Sequence, residues 1–137
     1  MGHRAESAGG YPACFGPAGT VHCPLGEWAH YAALHLAGAR GTGKLLKPAT
    51  FKKLHTPPAG SDYAMGWAVV EQEGVGSLLT HAGSNGLFFA RISISADKNL
   101  AVLVATNQGD AAAISGASAA EKALFDHALH VGSKPQP

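Results

Sequence analysis

Four segments that read as β-strands follow one another between positions 63 and 107, and only short turns separate them. In the segment at 87–95, polar and apolar side chains alternate between the two faces. The segment at 100–107 is nearly all apolar, which is typical of a strand buried on both faces. Connections this short join antiparallel neighbours, because a parallel pair needs a long crossover. The pattern therefore predicts an antiparallel meander with strands at 63–70, 77–81, 87–95 and 100–107.

Helical patterns lie on both sides of this meander. Residues 24–36 repeat apolar side chains at spacings of three and four, which indicates one apolar helical face. We expect Gly38 and Gly41 to end this helix. A short helix is predicted at 48–54 and a longer one at 115–131. The chain is therefore predicted to be α+β, with an antiparallel β-meander of about four strands, two helices before it and a C-terminal helix packed on the sheet.

Composition narrows the classes of partner. The chain has 137 residues, of which 46% are hydrophobic, and a formal net charge of +1, which suits one domain and gives no basic surface for nucleic acid. No apolar run approaches the roughly 20 residues that span a bilayer. Residues 1–10 lack the apolar core of a secretory signal. We expect no nucleic-acid or membrane partner, a cytoplasmic location as expressed, and reduced thiols at Cys14 and Cys23.

The segment at 80–86, Thr-His-Ala-Gly-Ser-Asn-Gly, is the strongest local candidate for chemistry. It lies between two predicted strands, and its two glycines and Asn85 would let a ligand approach the main chain closely. A simpler interpretation is a glycine-rich hairpin turn that carries His81 on the surface. The residues alone leave both interpretations open.

Other nucleophile and metal patterns are weaker. The pattern Ala82-x-Ser84-x-Gly86 has the letters of a nucleophile elbow, but that motif needs a helix after the turn, and here a strand is predicted. Ser95 and Lys98 have the Ser-x-x-Lys spacing within a predicted turn, where no helix brings them together. The eight histidines form no metal-binding motif. We therefore predict no metal site and no cofactor.

Five short motifs occur in order along the chain. They are Gly16-Pro17-Ala18-Gly19-Thr20-Val21-His22 with Trp28-Ala29, Leu45-Leu46-Lys47-Pro48-Ala49-Thr50 with Thr56-Pro57, Tyr63-Ala64-Met65-Gly66-Trp67, His81-Ala82-Gly83, and the apolar run that ends in Thr106-Asn107. Together they resemble the serine β-lactamase-like family, which includes class C β-lactamases, penicillin-binding proteins and family VIII esterases. Within that resemblance, the His81 motif is similar to the family's Lys-Thr-Gly or His-x-Gly motif.

The resemblance implies a partial β-lactamase/transpeptidase-like fold and acyl transfer on a β-lactam, ester or amide. His81 would bind a substrate carboxylate or assist proton transfer. The main-chain N–H of Ser84 would be one of two oxyanion-hole donors. His81 and Ser84 are thus the implied catalytic residues, and a small-molecule acyl substrate is the implied partner. The implied substrate-binding residues are Ala82, Gly83, Asn85 and Asn107.

The chain also departs from the family. A helical Ser-x-x-Lys and a Tyr-x-Asn, which supply the nucleophile and its base, are both missing from the 137 residues. The interpretation is therefore a partial β-lactamase-like domain at 16–132, between a flexible loop at 1–15 and a disordered tail at 133–137. Such a fragment of a serine hydrolase is expected to be weak or inactive alone.

Two alternatives remain. The first is a non-catalytic interaction module, which forms a homo-oligomer through an exposed strand edge at 100–107. The second is an independent esterase that uses Ser84 as its nucleophile.

Overall fold

A computed structural model describes residues 16–132. The predicted loop at 1–15, which contains Cys14, and the predicted tail at 133–137 lie outside the described residues. The elements are the helices α1 (Gly16–Gly19), α2 (Leu25–Ala39) and α3 (Pro48–His55), the strands β1 (Ala68–Gln72), β2 (Gly76–Ser84), β3 (Phe89–Ser95) and β4 (Leu100–Thr106), and the helix α4 (Ala111–Gly132).

The strands form one antiparallel sheet in the order β1-β2-β3-β4, which confirms the predicted meander and the α+β class. Helix α2 packs on one face of the sheet and α4 on the other. Because side chains alternate along a strand, Ile92 and Ile94 of β3 join the cluster that includes Ala32 of α2. Val102 of β4 joins the cluster around Phe125 of α4. The sheet thus has an apolar core on each face.

The strand predicted at 63–70 is shorter at its beginning. Tyr63 makes only an isolated bridge to Ala68, and regular pairing with β2 begins at Ala68. Between them, Gly66 has a φ of +86°, and the N–H of Ala64 donates to the carbonyl of Trp67 at 2.8 Å. The left-handed glycine turns the chain and interrupts the strand.

Three other boundaries differ from the prediction. Two helices were expected before the sheet, but the four-residue α1 adds a third ahead of α2, where the Thr20 N–H donates to Gly16 at 3.0 Å. Strand β2 continues to Ser84, because pairing with β3 extends to that residue. Helix α4 begins earlier, at Ala111, since the Asp110 carboxylate accepts the N–H of Ala113 at 2.9 Å and so caps the helix.

Helix α2 ends at Ala39, and Gly41 follows with a φ of +73°, as predicted, whereas Gly38 lies inside the helix and does not end it. A Cβ at this position would lie 2.2 Å from the ring of Phe51 in α3, which is far inside van der Waals contact. Phe51 is fully buried. The glycine therefore allows the α3 aromatic ring to lie directly against the α2 backbone.

A buried polar group lies between α4 and the sheet. The Ser93 hydroxyl on β3 donates to Glu121 of α4 and lies 2.9 Å from the Thr80 hydroxyl on β2. Buried polar groups need such partners, since leaving one unpaired costs free energy. Among the described helices, none is both long enough and apolar enough to span a membrane.

Candidate functional site

A cleft of about 1160 Å³ opens on the α2 face of the sheet, near the end of β2. Its floor consists of β2 and β3 residues, and α2 and the segment before it form the opposite wall. The described residues that line it are Ala18, Gly19, Val21, His22, Cys23, Leu25, Trp28, Tyr31, Gly66, Trp67, His81, Gly83, Ser84, Asn85, Phe88, Phe89, Ala90, Ile92, Ala105 and Thr106. The cleft therefore brings together four residues of the candidate segment at 80–86.

His81 lies on the edge of this cleft with an exposed side chain. Its Nδ1 lies 3.4 Å from the hydroxyl of Tyr63, which is too long for a strong hydrogen bond. The imidazole is therefore held loosely from one side and can turn toward a ligand in the cleft. Gly83 is on the same face of β2, and a Cβ there would meet nothing within 4 Å.

The main chain of β2 alternates the side to which successive residues direct their N–H and C=O groups. The N–H of Asn85 donates across the hairpin to the carbonyl of Phe88 at 3.3 Å. Ala82 and Ser84 therefore direct their main-chain groups to the side opposite β3. On that side the ladder with β1 ends at Thr80. The end of β2 thus continues beyond its β1 neighbour beside the cleft.

The Ser84 hydroxyl is used in the loop that follows β2. Its Oγ lies 2.9 Å from the carbonyl oxygen of Phe88 and 3.2 Å from that of Gly109, and it accepts the N–H of Gly86 at 3.0 Å. Ser84 is three positions after His81 on the strand, so their side chains leave opposite faces. The structure thus brings Ser84 to the cleft, with its hydroxyl engaged by main-chain groups.

Asn85 closes the turn between β2 and β3. Its Oδ1 accepts the N–H groups of Leu87 at 3.0 Å and of Phe88 at 2.8 Å. This is the local capping that asparagine commonly provides in turns. Gly86 follows with a φ of +84°. Asn85 lines the cleft, and its amide nitrogen is the group left for a ligand.

The remaining residues that the sequence analysis named do not line the cleft. Ala82 is exposed and points away from it, as expected from its place between His81 and Gly83 on the strand. Asn107 follows β4 directly and is exposed, and it is absent from the cleft lining, although its neighbour Thr106 is present. Ser95 and Lys98, which share the Ser-x-x-Lys spacing, lie at the β3–β4 turn as predicted, with Ser95 fully buried.

Aromatic residues that the sequence did not single out form the wall of the cleft. Tyr31 of α2 stacks on Trp67, with ring centroids 6.4 Å apart and an interplanar angle of 14°. Burial raises the pKa of the Tyr31 phenol. Phe88 extends the apolar surface at the mouth. The spacing of Trp28 and Tyr31, one helical turn apart, is a sequence signal that could have placed Tyr31 on this wall.

Two histidines lie behind the aromatic wall. His35 of α2 and His55 of α3 share a hydrogen bond of 2.8 Å between Nδ1 and Nε2. His35 also contacts Tyr31 edge to face, with centroids 4.6 Å apart. Burial, and then the neighbouring His55, lower the pKa of His35 from 6.5 to about 4, and burial lowers the pKa of His55. Because both pKa values lie below the usual 6.5, both imidazoles are predominantly neutral at pH 7.

Neither protein-family models, nor curated proteins, nor solved structures include a match to this chain.

Proposed function

We propose that this chain is part of a serine hydrolase of the β-lactamase, DD-peptidase and esterase type, and that it supplies one wall of an acyl-transfer site. The observation that carries the proposal is the position of His81, Gly83 and Ser84 along one strand end at the edge of a large cleft. This stretch is the one that resembles the family's His-x-Gly motif. The resemblance and the cleft support the same residues by independent routes.

The main-chain geometry adds support. A substrate carbonyl that gains negative charge during acyl transfer needs donors fixed in direction. Ser84 directs its N–H to the side opposite β3, beside the cleft, where β2 has passed the end of β1. Gly83 leaves open space above the strand, so an acyl group could lie against the main chain.

The nucleophile is the missing part. The only Ser-x-x-Lys spacing in the chain is that of Ser95 and Lys98, which lies in a turn with the serine buried. We propose that a second segment, with a helical Ser-x-x-Lys, completes the site across the cleft. Alone, the chain should bind acyl compounds weakly and turn them over poorly, because binding contacts and an oxyanion donor leave only residual catalysis.

The sheet edge favours a second candidate function, a non-catalytic interaction module. Strand β4 is the last strand of the sheet among residues 16–132, and it has no charged side chain. The opposite edge strand, β1, carries Glu71, and charges on edge strands oppose pairing with another chain. In this alternative the chain acts through β4, and the cleft has no catalytic role. Sedimentation velocity would detect it, and a monomer with rapidly exchanging β4 amides would contradict it.

The alternative of an esterase with Ser84 as nucleophile receives less support. A strained elbow between a strand and a helix exposes the nucleophile, whereas Ser84 ends β2 and precedes the turn to β3. Its hydroxyl lies within bonding distance of the Phe88 and Gly109 carbonyls.

One experiment separates these functions. The chain is mixed with the N-terminal half of a class C β-lactamase that carries Ser-x-x-Lys and Tyr-x-Asn, and complex formation is checked by gel filtration. Hydrolysis of nitrocefin and of p-nitrophenyl butyrate is then measured for the wild type, for His81→Ala and for Ser84→Ala. Lys122→Ala, on the exposed face of α4, is the control.

The proposal predicts much faster turnover in the complex than in the chain alone. The gain should be lost in His81→Ala and retained in Ser84→Ala, because the main-chain N–H survives the latter change. A complex that hydrolyses neither substrate would contradict it. Turnover by the chain alone that disappears in Ser84→Ala, together with a covalent adduct on Ser84, would support the independent esterase.

A further inference from the structure

We infer that the cleft selects a neutral acyl substrate with an aromatic or aliphatic acyl group, and discriminates against anionic substrates. The inference rests on the proposed function and narrows its substrate class. This selectivity follows from the residues that line the cleft. A cleft that disfavours carboxylates also favours proton transfer, rather than carboxylate binding, as the role of His81.

The first observation is the lack of fixed charge. Among the described residues that line the cleft, none is Asp, Glu, Lys or Arg. The groups there that carry hydrogen-bonding side chains are neutral hydroxyls, one thiol, one amide, the indoles and the imidazoles of His22 and His81. A carboxylate that entered this surface would lose water without gaining an ionic partner.

The second observation is the direction in which the charged side chain of Arg91 points. Arg91 is the only Asp, Glu, Lys or Arg on β2 or β3, and it stands between two lining residues, Ala90 and Ile92. Strand alternation turns it to the other face, where its Nε lies 2.8 Å from the Glu121 carboxylate. The positive charge is thus paired across the sheet, away from the cleft.

The third observation is the apolar area that the cleft offers. Tyr31 and Trp67 are stacked along the wall. Phe88 and Leu25 line the mouth with 53% and 55% of their surfaces exposed. Exposed apolar residues gathered at one concave site are typical of ligand-binding surfaces. An aryl or alkyl acyl group would cover this surface, while the carbonyl faces the end of β2.

The test compares two probes that share an aryl group and differ in charge, methyl phenylacetate and phenylacetate. Both tryptophans of the chain, Trp28 and Trp67, line the cleft, so their indole N–H signals in ¹H–¹⁵N spectra report binding directly. We expect the ester to bind at least about tenfold more tightly than the carboxylate at pH 7.5, which corresponds to an unpaired charge that is only partly desolvated.

A charge placed at the mouth should change this preference. Leu25→Lys is expected to tighten phenylacetate binding by about threefold to tenfold, because it supplies the missing cation at a partly exposed position. Leu124→Lys makes the same substitution at an exposed position on α4, on the other face of the sheet, and should leave both affinities unchanged. Phe88→Ala should weaken ester binding.

Phenylacetate binding as tightly as the ester, or binding of neither probe, would overturn the inference. Its failure is distinguishable from failure of the proposed function. If the chain in complex with the N-terminal half hydrolyses the neutral p-nitrophenyl butyrate while phenylacetate binds as tightly as the ester, the function is kept and the selectivity is lost. If the complex binds the ester selectively but hydrolyses no substrate, the selectivity is kept and the function is lost.

Discussion

The Glu121 carboxylate lies 2.8 Å from Nε of Arg91, and this ion pair joins α4 to the middle of the sheet. The contact is ionic in character, since Arg91 Nε is buried and has no aligned hydrogen-bond acceptor among the described residues. The other carboxylate oxygen accepts the Ser93 hydroxyl. One side chain therefore contacts two side chains of β3, Ser93 through a hydrogen bond and Arg91 through an ion pair.

Replacing Glu121 should destabilise the fold strongly. Glu121→Ala leaves Arg91 unpaired beneath α4, which should lower the free energy of unfolding by about 3 kcal/mol. Glu121→Gln keeps an acceptor for Ser93 and should cost less. Urea denaturation measures both values. The control is Asp126→Ala, which removes the exposed Lys122–Asp126 pair and should cost under about 1 kcal/mol. Equal losses at the two positions would contradict the assignment.

The close approach of α2 and α3 at Gly38 gives a second prediction. Gly38→Ala places a methyl group 2.2 Å from the Phe51 ring, so the two helices must separate, and the free energy of unfolding should fall by about 3 kcal/mol. Gly26→Ala, in the same helix, meets nothing within 4 Å and should be neutral or stabilising by up to about 1 kcal/mol. Chemical denaturation of both variants decides, and similar effects would refute the packing argument.

The buried imidazole pair predicts that acid destabilises the fold. The pKa of His35 is lowered to about 4 in the folded chain from 6.5, so the unfolded chain binds more protons between these values. Stability is therefore complete above pH 6.5 and falls as the pH drops toward 4. Between pH 7.5 and pH 5 the loss should be about 2 kcal/mol.

Urea denaturation at several pH values tests this loss. His55→Gln should reduce the loss without abolishing it, because the titration of His55 is removed while burial, the larger cause, still lowers the pKa of His35. His30→Gln is the control, because it replaces an exposed histidine. The partner of His30, Glu27, lies 3.6 Å away and is also exposed. A stability that does not change between pH 7.5 and pH 5 would show that the pair is not buried as described.

The turn that shapes the candidate site gives a fourth prediction. Asn85→Ala removes the acceptor for the N–H groups of Leu87 and Phe88, and should cost about 1 kcal/mol. Asn85→Asp retains that acceptor and should stay close to wild type. Thermal denaturation checks both. If the two variants lose the same stability, the side-chain oxygen does not close the turn.

Periodicity in the sequence was enough for the sheet, because the alternation around Ile92 and the apolar run of β4 identify strands, and the short turns between them allow only antiparallel neighbours. Periodicity could not predict an element boundary that depends on the conformation or the capping of one residue. The positive φ of Gly66 shortens β1, and the Asp110 cap lengthens α4. Both effects are local, and neither alters the hydrophobic pattern.

The candidate site was predictable only in part. His81 and Gly83 stood out because glycine beside a strand end suggests close approach by a ligand. The stacked pair of the aromatic wall could not be predicted, because Tyr31 and Trp67 are 36 positions apart in the sequence. Only the packing of α2 on the sheet brings the two rings together. The buried His35–His55 contact depends in the same way on how α3 meets α2.

The most direct test of the central claim is the ratio of kcat/KM for p-nitrophenyl butyrate between the wild type and His81→Gln, each in complex with the segment that carries Ser-x-x-Lys. If His81 transfers a proton in the site, the ratio should be about 100 or more, with Lys122→Ala unchanged. A ratio near one in a complex that turns over substrate would show that the end of β2 takes no part in the chemistry.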